Sequence, residues 1–160
     1  MDTFAAQARD AGASGLILPD LPLASYASDF RGVLEANDLT MSFLVSPTST
    51  VDSIDEAFEH SSAFVYGVAN VGLTGDAQSV DRKAFFEGLQ DDRRRCPIVA
   101  GFGISDPNDI RQLTGSVDGA IIGSAFLRAL GPMEESRPST SEAVHRATQF
   151  LNSFIPPSSP

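Results

Sequence analysis

The sequence predicts an α/β protein built on parallel strands, and three observations carry that expectation. Short apolar runs recur along the chain, among them Gly15-Leu16-Ile17-Leu18, Met41-Ser42-Phe43-Leu44-Val45 and Pro97-Ile98-Val99-Ala100. Such runs read as strands buried on both faces. Segments with apolar residues at helical spacing lie between them, so that strands return every roughly 23 to 35 residues, as in a βα repeat with right-handed crossovers. Two runs also stop abruptly at glycines, Gly101-Phe102-Gly103-Ile104-Ser105 and Gly119-Ala120-Ile121-Ile122-Gly123-Ser124, each ahead of a predicted helix.

Taken in order, residues 2–11 read as a helix with Phe4, Ala5 and Ala8 on one face and Gly12 as its stop. Residues 15–20 form the first strand, ended by Pro19 and Pro22. Over 25–37 the residues Tyr26, Phe30, Val33 and Leu34 fall at helical spacing. The second strand covers 41–45 and is closed by Ser46-Pro47-Thr48-Ser49-Thr50; Thr50 or Asp52 then starts a helix with Ile54, Ala57 and Phe58 facing inward. The third strand covers 63–68. After it, Asn70-Val71-Gly72-Leu73-Thr74-Gly75-Asp76 is longer and more polar than a plain connection. Residues 70–79 are expected to be the least ordered internal loop, having few apolar anchors to offset the entropy of ordering.

A helix over 80–90 packs Phe85, Phe86 and Leu89, although Gly88 costs about 1 kcal/mol against alanine. The fourth strand, 97–100, runs into the first glycine loop, where Ser105 or Asp106 caps a brief helix beginning at Pro107. The fifth, 119–122, leads to a helix over 125–130, and Gly131-Pro132 breaks the chain. Ser139 followed by Glu142 fits a capping box, with Val144, Ala147, Leu151 and Phe154 as the inner stripe of a last helix. The expected organisation is one domain over 1–155 and a disordered tail over 156–160.

Composition narrows the function classes. A net charge of −10 repels nucleic acid and anionic membranes. The one basic run, Arg93-Arg94-Arg95, follows Asp91 and Asp92 and reads as a solvated turn. Cys96 is alone, which excludes an intrachain disulfide and fits a reducing cytoplasm; ahead of a strand, it reads as a small buried residue rather than a nucleophile. No apolar run approaches the ~20 residues of a membrane span. Met1-Asp2-Thr3-Phe4 lacks the basic and apolar regions of a signal peptide, so a cytoplasmic location is expected. No metal site is predicted, because no His, Cys, Asp or Glu cluster has ligand spacing. His60 and His145 fall on solvent faces of their helices.

The glycine-ended strands carry the chemistry. Two adjacent strand ends, each followed by exposed N–H groups and a helix start, form a phosphate site without a lysine. Gly101 and Gly103 bring those N–H groups close to a ligand, since no Cβ intervenes. In a (β/α)8 barrel this arrangement belongs to the loops after the last two strands. Plainer readings stand beside it. The glycines serve as turn residues, Thr74 stabilises a turn, Tyr66 follows Phe64 at strand period and both face the core, and Asp20 fixes a turn between two prolines.

The segments Gly15-Leu16-Ile17-Leu18-Pro19-Asp20-Leu21-Pro22-Leu23, Leu44-Val45-Ser46-Pro47-Thr48-Ser49-Thr50, Phe64-Val65-Tyr66, Gly72-Leu73-Thr74-Gly75, Gly101-Phe102-Gly103-Ile104-Ser105 and Gly119-Ala120-Ile121-Ile122-Gly123-Ser124-Ala125 resemble, in order and spacing, the tryptophan synthase alpha chain. The resemblance covers about residues 1–130. It implies a partial (β/α)8 TIM barrel, its last five parallel strands with alternating helices, from a truncated product or a partial gene sequence; a whole barrel takes about 250 residues. It also implies a lyase of tryptophan biosynthesis, which cleaves indole-3-glycerol phosphate by a retro-aldol step into indole and glyceraldehyde 3-phosphate. Indole would pass to a beta subunit, and pyridoxal phosphate would belong to that partner, with no cofactor in this chain.

Carried over residue by residue, the resemblance makes Gly103, Gly123 and Ser124 the phosphate ligands, through N–H groups and the Ser124 hydroxyl. Phe102 would pack beside the substrate, and Tyr66 would put its hydroxyl in the pocket. Thr74 and Gly75 would lie on a closing loop, and Asp20 and Pro22 on the beta-subunit face. Ala69 and Val71 depart from the family, whose members often have serine or threonine there. The family's catalytic glutamate and aspartate come from earlier strands, outside the resemblance, and no residue here takes either role. Two alternatives remain. One is another phosphate-binding barrel such as an indole-glycerol-phosphate synthase, against which the Pro-Asp-Leu-Pro and Gly-Leu-Thr-Gly segments speak; the other is a non-catalytic phosphate-binding or beta-subunit-binding chain.

Overall fold

The computed structural model describes residues 2–68, 81–90, 94–101, 103–131 and 138–155. Strands β1 (Gly15–Ile17), β2 (Thr40–Ser42), β3 (Leu44–Val45), β4 (Val65–Val68), β5 (Ile98–Gly101) and β6 (Gly119–Ala120) alternate with helices along the chain. Every strand pairing is parallel: β1 with β2, then β3-β4-β5-β6 in order. Among the described residues β1 and β6 each have a strand neighbour on one side only.

β2 and β3 are the single predicted second strand, divided at Phe43. The Met41 N–H donates to Ser62 Oγ at 2.9 Å and the Phe43 N–H to Ser61 Oγ at 3.0 Å. Two serine hydroxyls thus stand in for the carbonyls of a neighbouring strand. Regular pairing with β4 resumes where the Phe43 carbonyl accepts the Tyr66 N–H at 2.8 Å. Two strands are shorter than read: the first stops at Ile17, 40% exposed, and the fifth at Ala120.

The helices are α1 (Asp2–Asp10), α2 (Leu23–Ser25), α3 (Arg31–Glu35), α4 (Val51–His60), α5 (Arg82–Gly88), α6 (Pro107–Gln112), α7 (Ser124–Leu130) and α8 (Thr140–Phe154). α2 runs through one π-helical stretch, Tyr26–Phe30, into α3, with the Arg31 N–H donating to the Tyr26 carbonyl. Tyr26 and Leu34 are buried as the helical spacing requires. Thr50 caps α4 by accepting the Ser53 N–H at 3.2 Å. α5 begins at Arg82 because the Asp81 carboxylate accepts the N–H groups of Lys83 and Ala84 at 3.0 and 3.1 Å. The core lies between the sheet and α3, α4 and α5, where Phe58, Phe86, Leu34, Met41, Ile98, Val45 and Val65 are fully buried.

Several expectations are corrected. Phe4 is half exposed, so Ala5 is the buried residue of α1. In α8 the predicted inner residues Val144 and Leu151 are exposed. The helix is rotated so that Phe150 meets Phe126 of α7 edge-on at 5.7 Å and Phe154 at 4.9 Å. Ser139 accepts the Glu142 N–H at 3.2 Å, but the Glu142 carboxylate turns to Arg146, so half of the capping box forms. Arg94 is no free surface charge: it pairs with Asp118, whose other oxygen accepts the Ile98 N–H at 2.7 Å. His60 is half-buried, its ring 5.9 Å from that of Tyr26. Cys96 is half-buried as well, and burial pushes its thiol up. Residues 69–80, which include the predicted loop over 70–79 with Ala69 and Val71, lie outside the described residues, as do 156–160.

Candidate functional site

The loop after β5 is fixed by local chemistry. Gly103 has φ +74°, a backbone conformation that disfavours a side chain. Its carbonyl accepts the Arg82 guanidinium from α5 at 3.3 Å. Three residues into α6, Asp109 reaches back, and one carboxylate oxygen accepts the Ser105 N–H at 2.8 Å, the Asp106 N–H at 3.1 Å and the Ser105 hydroxyl at 3.2 Å. Asp106 completes a capping box by accepting the Asn108 N–H at 2.7 Å, with Pro107 in the first turn. Burial alone would raise the Asp109 carboxyl. The hydrogen bonds from Ser105 and Asp106, with Arg82 at 3.8 Å, outweigh burial and hold it below the usual carboxylate range.

Gly101 serves a different purpose from the ligand approach read in the sequence. A Cβ there would sit 2.0 Å from Tyr66 Cε2 and 2.1 Å from its hydroxyl oxygen. The bare glycine lets the Tyr66 ring lie across the end of β5. Tyr66 is buried, and burial raises its phenol above the ordinary value, so it keeps its proton at neutral pH and can donate.

These features meet at a cavity of about 410 Å³ at the C-terminal ends of β4, β5 and β6. It lies within the size range of small-molecule sites, about 300–1,000 Å³. Of the residues singled out in the sequence, Tyr66, Gly103, Gly123 and Ser124 line it. None of the N–H groups of Gly103, Gly123 and Ser124 donates to an acceptor among the described residues. Thr74, Gly75 and Phe102 lie outside the described residues. Asp20 and Pro22 are exposed on the connection after β1 and do not reach the cavity.

Sequence reading missed Ser105, Ile104, Ile121, Ala125 and Arg128 as wall residues. Arg128 had a legible signal: it stands four residues after Ser124, hence on the same helix face. No group of three or more His, Cys, Asp or Glu able to hold a metal occurs among the described residues, and no helix there is long and apolar enough to cross a membrane.

A model of the family described as "Tryptophan synthase alpha chain" matches residues 1–154. The tryptophan synthase alpha chain of Bacteroides fragilis is 34% identical over 153 residues, covering 94% of this chain and 57% of the relative. That of Leptospira biflexa serovar Patoc is 38% identical over 151 residues, covering 92% and 55%. The chain thus spans little more than half the length of the curated relatives it matches. Among solved structures, a chain of the tryptophan synthase a2b2 complex from the hyperthermophile Pyrococcus furiosus superposes with a TM-score of 0.74 at 21% identity, over 96% of this chain and 57% of that one. The tryptophan synthase subunit alpha from Legionella pneumophila gives 0.73 at 24% identity, over 96% and 55%. These likenesses give the fold: the alternating parallel units are part of a (β/α)8 barrel. With the family match running from the first residue to the end of α8, the chain belongs to the tryptophan synthase alpha chain family.

Proposed function

We propose that this chain is the portion of a tryptophan synthase alpha subunit that grips the phosphate of indole-3-glycerol phosphate, the substrate cleaved by retro-aldol into indole and glyceraldehyde 3-phosphate. The observation that carries the reading is the convergence of Gly103, Gly123 and Ser124 on one cavity at the strand ends. Their N–H groups and the Ser124 hydroxyl are the phosphate donors, and Tyr66 offers its hydroxyl on the same wall. In this reading Phe102 packs beside the indole portion, and Thr74 and Gly75 belong to a loop that closes over the substrate. Asp20 and Pro22 lie towards a beta subunit, which would hold the pyridoxal phosphate.

Retro-aldol cleavage needs a base for the hydroxyl proton and an acid for the indole carbon, both within hydrogen-bond reach. No carboxylate lines the cavity among the described residues. Asp106 and Asp109 are engaged in holding the β5 loop. Within these residues the site therefore offers phosphate donors but no carboxylate to carry the proton transfers. Binding a phosphate equally in ground and transition states does little for the chemical step.

The test is binding of glycerol 3-phosphate to the 160-residue chain by calorimetry. Ser124→Asp places a negative charge among the proposed donors and should abolish binding and thermal protection. Unchanged binding in that variant would remove the phosphate assignment.

A further inference from the structure

Among the described residues that line the strand-end cavity, Arg128 is the one that carries a charge. Most other arginines in the described residues have a partner. Arg9 pairs with Asp10, Arg31 with Glu35, Arg82 with Asp109, Arg94 with Asp118 and Arg146 with Glu142, while Arg111 donates to Asn108. The Arg128 side chain makes no hydrogen bond or ion pair among the described residues. Its place on α7 gives it a direction. Helical side chains lean towards the N-terminus, so a residue at i+4 lies over the turn that begins at i. Here that turn begins at Ser124. An exposed, uncommitted cation leaning over the mouth of a cavity walled by unused N–H donors is matched to an anion inside it.

We infer that Arg128 is a binding residue for the substrate's phosphate, supplying the positive charge that the backbone donors lack. The inference rests on the phosphate reading proposed above and adds to it a charge-assisted contact. A guanidinium fork suits two phosphate oxygens at once, whereas an ammonium acts as a point charge. The contact is specific to the phosphate end of the ligand. Because Arg128 holds no other part of the described structure together, its removal should leave the fold unaltered.

The experiment compares the unaltered 160-residue chain with Arg128→Gln, Arg128→Lys and Ser124→Asp, titrating each with glycerol 3-phosphate and separately with inorganic phosphate at two salt concentrations. Thermal melts without ligand accompany each titration. The expected result is roughly a 10-fold loss of affinity in Arg128→Gln, the same for both ligands, with a flatter salt dependence. Arg128→Lys should recover part of that loss, and the melts of the two Arg128 variants should match that of the unaltered chain. Equal affinity in the unaltered chain and Arg128→Gln would overturn the inference and leave the phosphate site standing. A loss confined to glycerol 3-phosphate would also overturn it, since the contact would then be to the glycerol portion. Absence of binding by the unaltered chain would overturn the phosphate reading and this inference with it.

Discussion

Replacing Gly101 with alanine puts the packing of Tyr66 against β5 to a quantitative test. The added Cβ would stand 2.0 Å from Tyr66 Cε2 and 2.3 Å from Cζ, where carbon atoms prefer about 3.5–4.0 Å. The backbone has little room to yield, because Gly101 is in register with Val68 and the preceding Ala100 is fully buried. The ring must therefore leave its place. Overpacking of this kind costs about 1–3 kcal/mol. Alanine also restricts the unfolded chain, which returns about 0.4–1 kcal/mol. The net destabilisation is then between about 0 and 2.6 kcal/mol, a fall in Tm of up to roughly 10 °C for a domain of this size. A double-mutant cycle isolates the cause. In a Tyr66→Ala background the clash is gone, so the same Gly101→Ala change should stabilise by up to about 1 kcal/mol. Melts of the four proteins give the coupling directly. Additivity to within about 0.3–0.5 kcal/mol, with no change of sign, would refute the reasoning.

Two further outcomes follow from the site. Asp109 has its carboxyl depressed in the fold, so the stability it contributes is present above its ordinary value of about 3.9 and is lost as pH falls through the lower folded value. Asp109→Asn should therefore lower Tm at pH 7, and the gap to the parent should close as both are acidified; a gap constant with pH would contradict the Ser105, Asp106 and Arg82 contacts as its source. The 160-residue chain should release indole from indole-3-glycerol phosphate at no useful rate, with or without a beta subunit, because general acid and base groups supply typically about 10²–10⁴-fold each and no carboxylate lines the cavity among the described residues. Turnover like that of a full-length alpha chain would show that the catalytic groups have been misplaced.

The sequence made the elements legible where local chemistry decides them. Gly103 and Pro107 mark a strand-to-helix turn on any reading, and Asp106 caps the helix as its position requires. Thr50 likewise starts α4. What escaped was set by contacts distant in sequence. The apolar periodicity of α8 admits more than one inward face, and the Phe126–Phe150 contact chose a face that leaves Val144 and Leu151 in solvent. Gly101 signals closeness to something, but that the close neighbour is Tyr66 depends on the β4–β5 register. The basic run gave no hint that Arg94 reaches Asp118, a pairing across 24 residues. Of the cavity wall the motifs found Gly103, Gly123 and Ser124 and missed Arg128, whose place there depends on the direction in which α7 runs.

The serine pair between α4 and β4 has a consequence for how the sheet breathes. Met41 and Phe43 owe their amide protection to hydroxyls of Ser62 and Ser61, whereas the amides of Tyr66 and Val65 are held by the carbonyls of Phe43 and Pro97. A side-chain acceptor is released by rotation about one bond, while a carbonyl acceptor is released by moving a peptide plane. The two kinds of amide on neighbouring strands thus report different openings. In hydrogen exchange, Met41 and Phe43 read the local loosening of the Ser61-Ser62 corner, and Tyr66 and Val65 read the parting of the sheet itself. The point at which one strand changes its pairing from β1 to β4 is therefore a seam, along which the wall can open on the β1–β2 side without undoing the strands whose loops line the cavity.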